Sequence, residues 1–558
     1  MTSITQKKGV YSRIMCAWTG APLFRAWLHM RRRALRGSRA RHFVLFVALL
    51  FGFSLYALEV YEISSDVTGG IDLLSMSDTY YTDRLKGCAN CTISGVITHS
   101  AVTREMPFCL MGSHSAPTKF NPSTKLDTIP LRIVDGGSWK YQADNGGNAN
   151  YRIGEGYGSL EMERGSFEAN AILLYGNPGA NRSVLSVTNG CSLRIGTTIR
   201  VGLEEGGSAG ASLLLDGGQI TAYTVLELGR GPKDGTAPCN DAVNTVLVSR
   251  ATLNLTAENN ENRVYMGRWG ANNGSDRLTD RNVIILGEDG VLHAKSIARC
   301  RDPRGHMIFR GGRFESFERG DSANSTALIE NKDYGTFEIE GDGAPIRMYA
   351  DYDVNFASEY CDGTSSVLLT GDGGFEKLGT GTLTLNNPWN VVKSSFSGGV
   401  IVSCGTLKLG ADGMIPESNA LSVGEGAVFD MNGYAAGFSA VTGAGSVTNG
   451  AQTVATLRLN YGDDASGFST KVNGKVLLKK TGAGVLTISG SASNNACDLE
   501  VAEGIVVFED RVSSTYGTVT VRTGSTLDIS KCDFSCVELV KEKGARVIHK
   551  RGLILVLR

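Results

Sequence analysis

Four residues near the amino-terminal end have the types and spacing of a zinc site. Cys88, Cys91, Cys109 and His114 follow one another as C-x2-C-x17-C-x4-H. Thiolate and imidazole groups are the usual ligands of tetrahedral zinc in proteins. In an oxidising compartment the three cysteines could instead form a disulfide among themselves. Zinc, a disulfide and free thiols are therefore three open alternatives, and the disulfide is favoured over zinc.

Three further cysteines stand alone at or near predicted strands: Cys191, Cys404 and Cys497. A free cysteine behaves as a small apolar side chain and is often buried. The sequence predicts that these three fill space in a core.

No catalytic constellation can be assembled from the sequence. After residue 58 there are five histidines, and there is no G-x-S-x-G elbow, H-E-x-x-H motif or Walker loop. Paired carboxylates for glycoside chemistry could still come from distant positions. The available acids include Asp216, Glu227, Asp289 and Glu315. The sequence favours a protein without enzymatic activity or cofactor, with a polysaccharide lyase or glycoside hydrolase as the alternative.

One tripeptide matches a cell-adhesion motif that integrins read. It is Arg319-Gly-Asp321, within a charged, glycine-rich stretch. A chance match is the better interpretation there, so no ligand is assigned to it.

The distribution of charge argues against nucleic acid as a partner. Residues 1–58 contain ten basic side chains and no acid, which leaves 45 of the 55 Lys and Arg residues against 56 acids, a balance of about −11. A body of that sign repels phosphate backbones.

A basic run followed by an apolar run predicts export. Residues 31–41 contain most of the amino-terminal arginines, and residues 43–58 are 16 uncharged, largely apolar residues. This order is typical of a signal peptide, and 16 residues fall short of the roughly 20 that span a bilayer comfortably. Cleavage near Ala57 and an uncleaved anchor at 43–58 both place the rest of the chain outside the cytoplasm. Membrane contact is expected only through this segment, if it is uncleaved.

Glycine supplies 71 of the 558 residues, nearly twice the usual fraction of about 7%. From about residue 150 the chain repeats a phrase of alternating apolar residues, a turn and one more apolar residue. Successive copies begin 23 to 38 residues apart, at Leu160, Leu185, Leu213, Val246, Ile284 and Met307. Such a period is too short for a domain and suits one coil of a solenoid. The alternation predicts strands, and hence an elongated parallel β-helix, with a β-sandwich or propeller as the alternative.

The carboxyl-terminal third contains a clearer repeat with two copies. Its aligned segments are 377–385 with 480–488, 402–409 with 501–508, and 421–430 with 519–528. Lys377-Leu-Gly-Thr-Gly-Thr-Leu-Thr-Leu385 and the later Val402-Ser-Cys-Gly-Thr-Leu-Lys-Leu409 are its best-preserved phrases.

Over residues 371–530 these phrases resemble the autotransporter-associated β-strand repeat, also called the passenger-associated transport repeat. The resemblance implies a secreted or surface-displayed right-handed β-helix with a structural or adhesive role, whose loops contact glycans or other cells. The second copy departs from the family because it lacks the central Gly pair that Gly398 and Gly399 supply in the first. The chain also ends after the last coil, so we expect no carboxyl-terminal translocator barrel.

These observations divide the chain into four parts. Residues 1–58 are the signal peptide or anchor, and 59–130 an irregular cap. Degenerate coils follow at 131–370, and coils with the recognisable repeat at 371–558.

Export predicts a defined amino terminus, which mass spectrometry of the purified protein measures. A mature chain starting near Leu58 indicates cleavage and release, and an intact Met1 in the membrane fraction indicates an anchor. An intact chain in the soluble cytoplasmic fraction would show that the export prediction is wrong.

Overall fold

A computed structural model gives the fold of the chain. It describes residues 10–11, 58–63, 88–93, 96–100, 129–133, 138–142, 150–153, 158–163, 165–169, 171–175, 183–188, 190–203, 210–223, 225–230, 243–256, 262–267, 281–299, 305–317, 327–331, 336–357, 366–386, 394–460, 466–489, 497–509 and 513–550. Side chains are described from Met162 onward.

Every regular element in these described ranges is a β-strand, and the strands form four sheets. Sheet 1 contains Val10–Tyr11, Leu58–Ile63, Cys88–Ile93, Ile129–Ile133, Gly158–Glu163, Ser183–Thr188, Ala211–Asp216, Val243–Ser249, Arg281–Leu286, His306–Phe309, Thr336–Gly341 and Ser366–Gly371. Sheet 2 contains Val96–Ser100, Ser138–Gln142, Ser166–Ala169, Ser192–Ile195, Gln219–Ala222, Thr252–Leu255, Val291–His293, Arg313–Ser316, Ile346–Ala350, Phe375–Leu378, Val400–Val402, Ala420–Val423, Ala440–Thr442, Ser466–Phe468, Val485–Ile488, Ile505–Phe508, Thr526–Ile529 and Arg546–His549.

The other two sheets complete the coils. Sheet 3 contains Asn150–Ile153, Ala171–Tyr175, Thr198–Leu203, Val225–Arg230, Arg263–Met266, Ser296–Arg299, Ala327–Asn331, Val354–Ala357, Thr382–Leu385, Thr406–Leu409, Val428–Asp430, Ser446–Asn449 and Lys471–Gly474. Sheet 4 contains Ala436–Phe438, Ala455–Asn460, Val476–Thr481, Asp498–Val501, Ser513–Val521 and Asp533–Lys541. In the later coils a sheet 4 strand precedes the sheet 2 strand, in the place that sheet 1 holds earlier.

From Leu58–Ile63 onward each strand pairs in parallel with the equivalent strand of the next coil, and only the two-residue strand Val10–Tyr11 pairs antiparallel among the described strands. In sheet 1, Leu185 lies beside Leu213, which lies beside Val246. In sheet 2, Ile220 lies between Leu193 and Leu253. The positions of the repeated phrase therefore stack directly on one another. Parallel pairing at one full coil's separation confirms the predicted β-helix, because sandwiches and propellers pair their strands antiparallel.

The core is a set of continuous apolar columns inside the solenoid. Residues alternate between buried and partly exposed along most strands, as in Val243–Ser249 and Thr252–Leu255. The inward side chains from Leu185 to Leu527 include many with no exposed surface. Burying one such aliphatic side chain contributes about 1.5–3 kcal/mol.

Asparagines fix the corner between sheet 3 and sheet 1. Asn244 Nδ2 donates to Asn282 Oδ1 of the next coil at 2.9 Å, and Asn244 Oδ1 accepts from the Ala211 backbone N–H at 3.1 Å. Gly202 approaches this stack with a φ of +81°, and a Cβ there would lie 2.0 Å from Asn244 Oδ1. Glycine is required at that position by both backbone conformation and space.

Strands are also described within the segment that the sequence assigns to an irregular cap. Leu58–Ile63 pairs with Cys88–Ile93, which pairs with Ile129–Ile133, and Val96–Ser100 pairs with Ser138–Gln142. Sheets 1 and 2 thus extend into this segment. The three proposed boundaries between the four parts of the chain stay predictions.

The apolar columns predict a sharp contrast between two Leu→Ala substitutions. Leu253 is fully buried in sheet 2, so Leu253→Ala should lower the free energy of unfolding by about 2–5 kcal/mol through lost burial and an internal cavity. Urea unfolding followed by circular dichroism measures the change.

Leu247→Ala is the matched control. Leu247 points outward from sheet 1 and is only partly buried, so its loss should cost about 1 kcal/mol or less. Equal losses for the two variants would contradict the described inward and outward faces.

Candidate functional site

A pocket opens on the outer face of sheet 2, at the corner that leads to sheet 3. His293, Glu315 and Tyr349 occupy equivalent outward positions of three successive coils, because His293 pairs with Glu315 and Glu315 with Tyr349. Neighbouring strands lie about 4.8 Å apart, so these three side chains form a row along the solenoid.

The rest of the lining comes from residues just beyond the same strands. The cavity of about 240 Å³ is also lined by Ser316, Phe317, Asp351 and Tyr352. We refer to these four residues, together with His293, Glu315 and Tyr349, as the sheet 2 pocket. Two carboxylates and three benzene rings thus face one small space.

Hydrogen bonds orient the polar groups of the sheet 2 pocket. His293 Nδ1 lies 2.7 Å from Asn254 Oδ1. The Tyr349 hydroxyl donates to Asp351 Oδ2 at 2.5 Å. Ser316 Oγ donates to the Lys295 carbonyl at 2.7 Å and lies 2.5 Å from the Tyr352 hydroxyl. The polar side chains of the pocket are therefore held by hydrogen bonds to one another, to Asn254 and to the Lys295 carbonyl.

The protonation states follow from these contacts. Burial lowers the pKa of His293, and the nearby Glu315 opposes that shift only in part, so the ring is neutral at pH 7. The Tyr349 hydrogen bond lowers the pKa of Asp351, with a further contribution from the Thr380 backbone. The same hydrogen bond raises the pKa of Tyr349. Asp351 is ionised and Tyr349 is protonated at neutral pH.

Two cations act on the carboxylates of the sheet 2 pocket without lining its cavity. Arg313 Nε contacts Glu315 Oε1 at 2.5 Å, and the buried Lys377 acts on Asp351 through its charge. Among the residues that line the cavity there is no Lys or Arg. The open surface of the pocket is acidic and aromatic.

A second, shallower groove runs along the corner between sheets 1 and 2. It has a volume of about 640 Å³ and is lined by glycine backbone together with Arg250 and Asp289. Arg250 Nη2 contacts both oxygens of Asp216, at 2.7 and 2.6 Å. One guanidinium nitrogen thus binds both oxygens of Asp216, and the rest of the lining is largely backbone and small side chains, so the groove offers less specific chemistry than the sheet 2 pocket.

Buried lysines occupy the turns of the carboxyl-terminal repeat. Lys377 is fully buried in the sheet 2 column, between Met348 and Val402. Its Nζ donates to the carbonyls of Leu378 at 2.7 Å and Gly379 at 2.8 Å. Gly379 has a φ of +79°, and a Cβ there would lie 2.4 Å from the Ala350 carbonyl oxygen. In the K-x-G phrase, therefore, the lysine ammonium binds the carbonyls of a turn whose glycine has a left-handed conformation.

The second copy of the repeat has the same device. Lys480 is buried, and its Nζ donates to the carbonyls of Thr481 at 2.6 Å and Gly482 at 2.7 Å. Gly482 has a φ of +77°. The two segments that align in sequence therefore share one structural role.

The chain is similar to an autotransporter adhesin. It is 32% identical over 173 residues to the Adhesin BmaC autotransporter of Brucella suis biovar 1 (strain 1330). The match covers 30% of this chain and 5% of the adhesin, so the chain spans a small part of that protein's length. No protein-family model and no solved structure matches the chain. The resemblance to autotransporters is supported at this level, and the specific repeat type stays a prediction.

The structure distributes the four carboxylates that the sequence made available over three places. Glu315 lies in the sheet 2 pocket, whereas Asp216 lies beside the corner groove that Asp289 lines. Glu227 is buried in sheet 3, where its Oε2 contacts Arg200 Nε at 2.7 Å. Asp351, the other carboxylate that lines this pocket, was missed because the sequence does not show which corner residues of successive coils coincide.

Cysteine predictions have mixed outcomes. Cys191 and Cys497 are buried, which confirms them as core residues, but the prediction for Cys404 is wrong. Cys404 is exposed because it lies in the turn before Gly405, after the inward residue Val402.

The proposed zinc ligands are not tested. Cys88 and Cys91 lie on the sheet 1 strand Cys88–Ile93, whose side chains are outside the described residues, as are Cys109 and His114. In the part of the chain that is described, no group of three or more His, Cys, Asp or Glu side chains could hold a metal ion. Over the same ranges there is also no helix of the length and apolarity needed to cross a membrane.

The buried Lys377 predicts stability that rises with pH in a defined window. Burial lowers the pKa of Lys377 from 10.5 to about 8. Between these two values the unfolded chain holds a proton that the folded chain has lost, so the free energy of unfolding increases with pH. Below about pH 8 both states are protonated and the cost of burying the ammonium is fully present.

Lys377→Met removes this titration, and Met348 shows that the column accepts a methionine in the neighbouring coil. Between about pH 7 and about pH 9.5, the urea midpoint should rise more for the native chain than for the variant. Lys480, which both proteins retain, contributes equally to each. Identical pH dependence in the two proteins would refute the described burial of the ammonium.

Proposed function

We propose that this chain is an exported, adhesive β-helix that contacts glycans through the sheet 2 pocket. The observation that carries the proposal is the pocket itself, an outward row of side chains assembled by three successive coils. Similarity to an autotransporter adhesin supports a role at the cell surface. The amino-terminal basic and apolar segments supply the route across the membrane.

The scaffold suits presentation of a binding site away from a surface. Sheet 2 alone stacks strands from Val96–Ser100 to Arg546–His549, and at about 4.8 Å per strand that ladder extends for about 80 Å. Its apolar columns make each coil depend on its neighbours, which gives stiffness along the axis.

The chemistry of the sheet 2 pocket suits a sugar. The rings of Phe317, Tyr349 and Tyr352 offer apolar faces against which a pyranose can pack, and Glu315 and Asp351 accept hydrogen bonds from hydroxyl groups. Drug-sized ligands occupy pockets of about 300–1,000 Å³, so this cavity matches one sugar residue of a longer glycan. An elongated glycan would continue along the row of coils.

The same two carboxylates bear on the enzymatic alternative. A glycosidase needs one carboxyl group that stays protonated near neutral pH to act as an acid. Asp351 has a lowered pKa, and Glu315 is paired with Arg313. The hydrogen bonds to Asp351 stabilise its ionised form, which makes it a poor general acid and favours binding over hydrolysis.

Tyr349→Ala tests glycan contact because it removes one ring from the row. Binding of the full chain to a printed glycan array, and adhesion of beads coated with it to cells, should fall about tenfold, which corresponds to about 1.4 kcal/mol. Tyr265→Ala makes the same change on the outer face of sheet 3 and should leave both readouts unchanged. Unaltered adhesion by the Tyr349 variant, or no adhesion by the native chain, would overturn the proposal.

A further inference from the structure

The side-chain hydrogen-bond donors of His293, Tyr349, Ser316 and Tyr352 in the sheet 2 pocket are already bonded to the protein. His293 Nδ1 faces the amide oxygen of Asn254, so the ring carries its proton on Nδ1 and donates there. The Tyr349 hydroxyl donates to Asp351. The Ser316 hydroxyl donates to the Lys295 carbonyl, so the Tyr352 hydroxyl must donate in the contact between Ser316 and Tyr352.

What remains toward the cavity is a set of acceptors. The neutral ring of His293 keeps a lone pair on Nε2. Glu315 has its second carboxylate oxygen beyond the one that Arg313 contacts, and the Tyr349 hydroxyl keeps a lone pair. A ligand that fits this pocket must therefore supply the hydrogen-bond donors. A carboxylate, sulfate or phosphate brings only more acceptors and negative charge beside Glu315 and Asp351.

The aromatic rings around the cavity favour a ligand whose hydrogen-bond donors carry a positive charge. Phe317 packs edge to face on His293, with centroids 4.6 Å apart, and Tyr349 and Tyr352 line the same space. The faces of aromatic rings attract cations, and a carboxylate beside them strengthens that preference. An ammonium group supplies three donors and a positive charge at once.

We propose that the sheet 2 pocket binds an amino sugar with a free ammonium group, within a glucosamine-type glycan. The inference rests on the proposed glycan-binding function and specifies its ligand. Acceptors come from three successive coils, and a pyranose with an ammonium and neighbouring hydroxyls can reach several of them together. A lysine side chain carries its donors only at its tip and leaves the other acceptors unmatched.

The test uses the full chain and three probes in calorimetry at low salt: a glucosamine hexamer, the N-acetylglucosamine hexamer and a hexalysine peptide. We expect the glucosamine hexamer to bind about tenfold more tightly than either other probe, since acetylation removes the charge and two donors. The preference should shrink at high salt because part of it is an ion pair.

Glu315→Gln combined with Asp351→Asn should abolish the preference while thermal unfolding shows a folded chain. Glu425→Gln is the matched control, because Glu425 is exposed in a turn at the same corner, in a later coil. It should leave all three affinities unchanged.

Three outcomes overturn the assignment. Equal binding of the two sugar hexamers shows a glycan site without ammonium selectivity, and equal binding of hexalysine shows attraction of charge alone. If neither sugar hexamer binds, the proposed ligand is rejected. Cell adhesion by the native chain and by the Tyr349→Ala variant then decides separately whether the adhesive function stands.

Discussion

The structure depends on one constraint, which is that each side chain sits beside the side chain one full coil away. Parallel pairing imposes this register on all four sheets, so inward apolar residues such as Leu193, Ile220 and Leu253 form continuous columns. Antiparallel sheets bring different positions of a repeat together, whereas this arrangement brings identical ones together. A residue type suits a given position only if it tolerates its own equivalents as neighbours.

The same register acts on the outer faces and produces the sheet 2 pocket. His293, Glu315 and Tyr349 are distant in sequence, yet they are neighbours because their strands are equivalent. In earlier coils the equivalent positions are occupied by polar residues such as Thr221 and Asn254. The side chains of the pocket differ from these in chemistry, whereas the backbone is the same. A local change of side chains on a uniform scaffold is therefore enough to create a site.

The sequence predicts the inward-facing residues correctly where a local pattern is enough to identify them. The repeated phrases beginning at Leu185 and Leu213 gave the columns correctly, because alternation and period are local signals. The sequence does not predict features that depend on which residues of successive coils lie next to one another. Asp351 was missed as the second carboxylate of the Glu315 pocket for this reason. Cys404 was misplaced because the strand ends at the inward residue Val402, so the alternation does not continue to Cys404.

The buried lysines have a consequence for how the chain threads its coils. A column of Leu, Val and Ile would accept a neighbouring coil shifted by one full repeat, since one aliphatic side chain replaces another at little cost. Lys377 and Lys480 add contacts that cross between coils, because beyond the carbonyls of its own turn each ammonium reaches a carbonyl of the next coil at 3.5 Å, that of Cys404 for Lys377 and that of Glu503 for Lys480. A shifted neighbouring coil must present a carbonyl at the same place, or the buried charge loses a partner. The lysines thus make an otherwise repetitive interior sensitive to which coil lies beside it.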